Sequence, residues 1–268
     1  MSDAPNLPQK GLISKILAPA IRFWLKSQVE QIEQLQLDIE AGDRQFLSGR
    51  IPKVTLAAQG ALYQGIHLSQ AQLVGENIHV NLGQVLRGKP LQLLEPFPIA
   101  LNLFLTEADL NLSLQAPLLA TALKGFLLNL LQSSGDLMPT HASVASSAQS
   151  ERSAQPDISP SPASPPVDLN LQNLKLTLEE SRLCLSAQLI SHSGTVTPIA
   201  LRTGLQLHQT NQLILHQPQW LPHPTAKRGL PLDDLEGYPI FLGETTQLDY
   251  LTLQAGSLEC QGQLQVNP

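Results

Sequence analysis

The side chains able to act as acids, bases, nucleophiles or metal ligands are spread thinly over this 268-residue sequence. The histidines, His67, His79, His141, His192, His208, His216 and His223, stand far apart. None sits in an HExxH spacing, which would put two imidazoles on one helix face beside a general base. His67 and His79 alternate with apolar neighbours and read as solvent-facing strand positions. Glu179 and Glu180 are adjacent, and adjacent strand residues point to opposite faces, so they make no acid–base pair. Asp233, Asp234 and Glu236 form the densest acidic group. They lie in a Pro-rich loop and read as solvated carboxylates, with cation binding the alternative. Cys184 and Cys260 have no CxxC spacing. They fit reduced core residues, and a single bridge between them stays open. There is no GxSxG elbow, P-loop or GxGxxG. The expectation is a protein that is not an enzyme and uses no metal and no cofactor.

The chemistry that remains is electrostatic. Residues 12–36 read as an amphipathic helix, with Ile13, Leu17, Ile21, Trp24, Ile32 and Leu35 spaced by one helical turn or its multiples. Lys15, Arg22 and Lys26 fall in a narrow arc on the other face, and Pro19 starts or kinks the regular part. These cations could meet anionic lipid headgroups while Phe23 and Trp24 lie at the interface, each cation contributing about 1 kcal/mol. The other reading is a helix whose apolar face packs on the protein while water covers the cations.

Composition narrows the class. Hydrophobic residues make up 42% of the chain, enough for a substantial core, while charged residues are 14% and aromatics 4%. Leu dominates the apolar set and Gln, Asn, Ser and Thr the polar set, which leans towards alkyl chains as cargo. A net charge of −6 argues against nucleic acid as a partner, because that needs clustered Lys and Arg. No run reaches the 18 apolar residues of a membrane span. The N-terminal apolar run, broken by Lys15, Pro19 and Arg22, is a poor signal peptide. The expected location is therefore cytoplasmic, with peripheral membrane contact.

Period-two alternation marks the elements after the first helix: Leu35–Ile39, Val54–Ala58, Leu62–Leu68, Leu73–Leu82 and Ile99–Leu105. Residues 106–132 return to helical period, with Thr106 and Asp109 as a capping-box variant. From Pro117 onward this helix is apolar over most of its surface, which suits burial or contact with lipid. Residues 133–167, rich in Ser, Ala and Pro, read as a disordered linker. Strand grammar resumes at Leu169, with a phase slip near Asn173 that predicts a bulge, and continues to Val266. Pro218–Pro239 reads as a loop holding one short helix. The domain reading is 1–132 for the first helix, first meander and second helix, then the linker, then 168–268 as a second meander completing the same domain. The fold class is α+β.

The stretch Leu47–Leu82, with Gly49, Val54 to Ala58 and Gly65 to Leu68, resembles the centre of the LmeA-like phospholipid-binding family. The run Ala108, Asp109, Leu110, Asn111 is similar to that family's helix start. The closing LTLQAGSLECQGQLQVNP looks like the last hairpin of its cyanobacterial-type members. The resemblance implies phospholipid binding and a strongly curved antiparallel sheet wrapped around amphipathic helices, similar to tubular lipid-binding (TULIP or BPI-like) folds. The chain departs from the actinobacterial type in showing no export signal, so a periplasmic location is not carried over.

Two functions follow as expectations. In the first, the protein carries or senses a phospholipid or other acyl-chain lipid at an anionic membrane surface. Alternating leucines on several strands would enclose a groove together with the helix residues Ile13, Leu17, Ile21, Trp24, Ile32, Leu123, Phe126, Leu127 and Leu130, and Lys15, Arg22 and Lys26 would face the membrane. In the second, the same sheet has a filled interior and serves as a structural or interaction scaffold without lipid.

Overall fold

The computed structural model describes residues 29–40, 49–85, 87–133, 170–190 and 194–268, together with Phe23. Most of these residues lie in two antiparallel sheets. The first sheet is built from β1 (Gln31–Glu40), β2 (Arg50–Tyr63), β3 (Ile66–His79), β4 (Phe97–Thr106), β11 (Thr246–Gln254) and β12 (Ser257–Val266), in the order β1-β2-β3-β4-β12-β11. The second contains β5 (Asn170–Glu179), β6 (Arg182–Ile190), β7 (Val196–Gln209), β8 (Gln212–Leu221) and β10 (Pro239–Phe241), in the order β10-β8-β7-β6-β5. The two-residue strand β9 (Leu230–Pro231) also pairs with β8. Neither sheet closes on itself. Among the described residues helices are few: α1 (Leu82–Val85), α2 (Glu107–Ser113), α3 (Pro117–Ser133) and a 3-10 turn at Asp233–Leu235, with Phe23 also helical. The described chain is thus mostly antiparallel β, with a smaller helical share than an α+β reading expects.

The first expected helix is corrected at its end. Residues 31–36 belong to β1, so Ile32 and Leu35 are strand residues. The three-residue step between them, which reads as a helical turn, is a shift of phase that crosses three strands. Ladder pairing passes from Ile32↔Ala61 to Gln34↔Gln59 on one side of β2 and from Ala61↔Leu68 to Gln59↔Gln70 on the other. Ile32, Ala61 and Leu68 therefore join Leu35, Ala58 and Ala71 in one apolar cluster despite the odd spacing.

Two further boundaries move. The Leu62–Leu68 alternation spans a hairpin, because Gln64 and Gly65 both adopt positive φ (50° and 78°) as a tight I′ turn requires. The helical stretch 106–132 is two helices, separated at Leu114–Ala116, with Pro117 opening the second where its missing N–H is harmless. The bulge near Asn173 is present: that residue has φ 54° and the β5–β6 register shifts between Gln172 and Lys175. Thr106 is the N-cap of α2, its hydroxyl accepting from the Asp109 N–H at 3.2 Å. The reciprocal bond of a full capping box is absent. Instead the Thr106 N–H donates to Ser69 Oγ at 2.8 Å, and the Ser69 hydroxyl donates to the Asp109 carboxylate. The expected linker, 133–167, lies outside the described residues apart from its first position.

The sheets meet in two places. At the first, α2 lies against β5. Asn111 Nδ2 donates to the Leu176 carbonyl at 2.7 Å and its Oδ1 accepts the Leu176 N–H at 2.9 Å. One turn earlier, Glu107 Oε2 accepts the Leu178 N–H at 2.8 Å. Two side chains at i and i+4 thus stand in for a neighbouring strand along the exposed edge of β5. At the second, the hairpin ends of the second sheet abut β11: the Ser181 N–H donates to the Leu253 carbonyl at 3.0 Å, and the Leu248 N–H donates to the Thr210 carbonyl. Both outer strands at the seam therefore have partners.

Candidate functional site

Cross-strand register gives the first sheet two distinct faces. On one face, the row Leu37–Leu56–Leu73–Leu101–Gly262–Leu248 runs across all six strands. The row beside it is Leu35–Ala58–Ala71–Leu103–Cys260–Leu251, and Ile39–Val54–Gly75–Ile99–Leu264 continues the face on the other side. The opposite face carries Gln36–Ala57–Gln72–Asn102–Gln261–Tyr250 and Gln34–Gln59–Gln70–Phe104–Glu259–Thr252. Period-two alternation of Leu with Gln and Asn produces this division. Amides prefer water, so the leucine face must find apolar neighbours or an apolar ligand.

Those neighbours are unevenly supplied. Leu127 of α3 is fully packed at 1% exposure, against Leu171, Leu185, Leu201 and Leu215 of the second sheet. The ring of Phe126 meets that of Tyr238 edge-on at 5.9 Å between centroids. On the first sheet, the small residues Ala58, Ala61 and Ala71 and the central Leu56 are buried, but Leu35, Leu37, Leu73, Leu101 and Leu103 stay half-buried. Shared members join the clusters: Leu205 and Ile240 pack on both the second-sheet core and the Leu213–Leu248–Cys260 cluster, and Leu103 links that cluster to the half-buried leucines. The apolar surface is therefore continuous from one sheet to the other.

The expected groove residues that the structure describes fall in two places. Ile32 lies on the leucine face of the first sheet, half-buried. Leu123, Phe126 and Leu127 belong to α3 and the core of the second sheet. Leu130 lies within α3, its side chain outside the described set. Ile13, Leu17, Ile21 and Trp24, and the cations Lys15, Arg22 and Lys26, lie outside the described residues. Phe23 is exposed at 78%. The sequence leads one to expect that alternating strand leucines help enclose the groove without naming them one by one, and strand pairing identifies Leu37, Leu73, Leu101 and Leu103. Their signal was the strict Leu/Gln alternation itself, which marks a strand but names neither its neighbours nor its cover.

The nucleophiles and carboxylates are placed structurally. Cys184 and Cys260 are buried, unpaired and in different clusters. Burial pushes the Cys260 thiol up to about 11, with Glu259 adding to the effect. Burial also raises the Cys184 thiol, opposed by the Arg202 guanidinium. Arg202 is itself buried, paired with Glu179 at 3.1 Å, with its Nε unpartnered. Among the described residues no three His, Cys, Asp or Glu side chains gather to hold a metal ion. No described helix is long and apolar enough to cross a membrane.

Compared with known proteins, residues 9–263 match the family model described as LmeA-like phospholipid-binding. No curated protein and no solved structure matches the chain.

Proposed function

Because the chain belongs to the LmeA-like phospholipid-binding family, we propose that it is a non-enzymatic phospholipid carrier or sensor whose acyl-chain site is the leucine face of the first sheet. The observation that carries this reading is the six-strand apolar face on which Leu35, Leu37, Leu73, Leu101 and Leu103 remain half-buried. Each CH₂ transferred from water to that face contributes about 0.8 kcal/mol, so a long acyl chain binds without a dedicated polar motif. The sheet bending around its ligand, as in tubular lipid-binding folds, belongs to the same proposal. So does peripheral attachment to anionic membranes through Lys15, Arg22 and Lys26. The outward ring of Phe23, which lies beside Arg22 in sequence, supports an interfacial placement.

The test is lipid transfer. Purified protein takes up a fluorescent phosphatidylglycerol from donor vesicles, and Leu73→Gln with Leu101→Gln reduces uptake at least ten-fold. Undiminished uptake by a folded double variant would remove this face from the site.

A further inference from the structure

At the seam between the sheets, a cavity of about 410 Å³ opens among the β5–β6 turn, β7, β8 and β11. This lies within the roughly 300–1,000 Å³ range of small-ligand sites. Its polar side is basic. Arg182, on the wall, donates to the neutral Gln217 Oε1 at 2.9 Å and has no carboxylate within ion-pair reach among the described residues. Two nearby acids are committed elsewhere, and Glu180, exposed in the β5–β6 turn, does not line the cavity. Glu179 pairs with Arg202. Glu236 meets His216 Nδ1 at 2.9 Å through one oxygen and accepts the Gln217 N–H through the other, and it does not line the cavity. His216 does line it, with Nε2 left over. The other side is apolar: Leu205 and Leu251 line the cavity and belong to the cluster that joins the two sheets.

A guanidinium without a counter-ion, an imidazole already held through one nitrogen and an adjoining leucine surface fit an amphiphile with an oxyanion at its head. We propose that this cavity receives the phosphate of a phospholipid, with Arg182 as the principal contact and the imidazolium form of His216 as the second, since with Nδ1–H held by Glu236 only that form has an Nε2–H to donate. The planar fork of Arg matches two phosphate oxygens, and such charge-assisted bonds are stronger than neutral ones. The proposal rests on the lipid-binding reading above. It adds a headgroup site at the edge of the acyl-chain face, where Leu251 ends the row that passes through Cys260 and Leu103.

Titration of the full chain with phosphatidylglycerol, with dioleoylglycerol (which lacks phosphate) and with inorganic phosphate tests it. Arg182→Gln should weaken phosphatidylglycerol about ten-fold, or 1.4 kcal/mol, leave dioleoylglycerol unchanged, and be partly rescued by Arg182→Lys. Where Arg182→Gln does not fold, a wild-type preference of ten-fold or more for phosphatidylglycerol over dioleoylglycerol supports the site and equal affinities overturn it. If a folded Arg182→Gln binds phosphatidylglycerol as tightly as wild type, the headgroup site falls and lipid binding stands. An equal loss for both lipids overturns the site too, since Arg182 would not be reading phosphate. If wild type binds neither lipid but binds inorganic phosphate through Arg182, the oxyanion site stands and the lipid reading falls. Binding of none of the three overturns both.

Discussion

Cys260 shows what the interior of the first sheet does to a single group. It sits on the leucine face between Leu103 and Leu251, where burial disfavours the thiolate and raises the thiol to about 11. The unfolded chain releases this proton near 8.5 and the folded chain does not. The thiol's contribution to stability is therefore complete below that value and is lost as pH rises through 11. Thermal melts should show wild type losing more stability than Cys260→Ala between pH 8 and 10.5, and parallel curves would contradict the burial. At pH 8, iodoacetamide should label Cys260 only after denaturant is added. Neighbouring Gly262 is under a different constraint: a Cβ there would lie 2.0 Å from the Gln247 carbonyl oxygen, beside the β11 bulge. Gly262→Ala should therefore destabilise the protein by about 1–3 kcal/mol, measured by urea unfolding.

At the scale of elements, α2 matters through its partners more than its length. Asn111 and Glu107 complete the hydrogen bonding of β5, so removing the amide strands a backbone N–H and a carbonyl at Leu176. Asn111→Leu should cost about 1–3 kcal/mol, with faster amide exchange at Leu176 than elsewhere in β5. Uniform exchange along the strand would contradict the clamp. The sequence showed the helix start at Thr106 and the bulge at Asn173 because each rests on local chemistry: a hydroxyl cap and a broken alternation. It did not show that Asn111 reaches a strand 65 positions further on, since side-chain-to-edge pairing leaves no periodic trace. Ile32 and Leu35 misled for a related reason. Their spacing of three reflects a phase step shared with Ala61/Ala58 and Leu68/Ala71, visible only once the strands are paired.

For the molecule as a whole, the governing feature among the described residues is how unevenly the two sheets are covered. The second sheet is packed by α3, Leu232 and Leu235, with Leu174, Leu176, Leu183 and Leu205 half-buried around that core, whereas the first keeps half-buried leucines on four adjacent strands with no described helix packed over them. Leu/Gln alternation made the two-faced strands legible. The order in which β11 and β12 return to β4, building the full-width face, is a long-range pairing that no local pattern encodes. The same limit holds for helix residues such as Leu127, whose apolar face signals burial but not against what. The most direct measurement is organic extraction and mass spectrometry of lipid carried by the protein after exposure to phospholipid vesicles and repurification. A lipid site on the leucine face predicts about one phospholipid per chain, falling at least ten-fold in the Leu73→Gln, Leu101→Gln protein. A repurified wild-type protein free of lipid would contradict it.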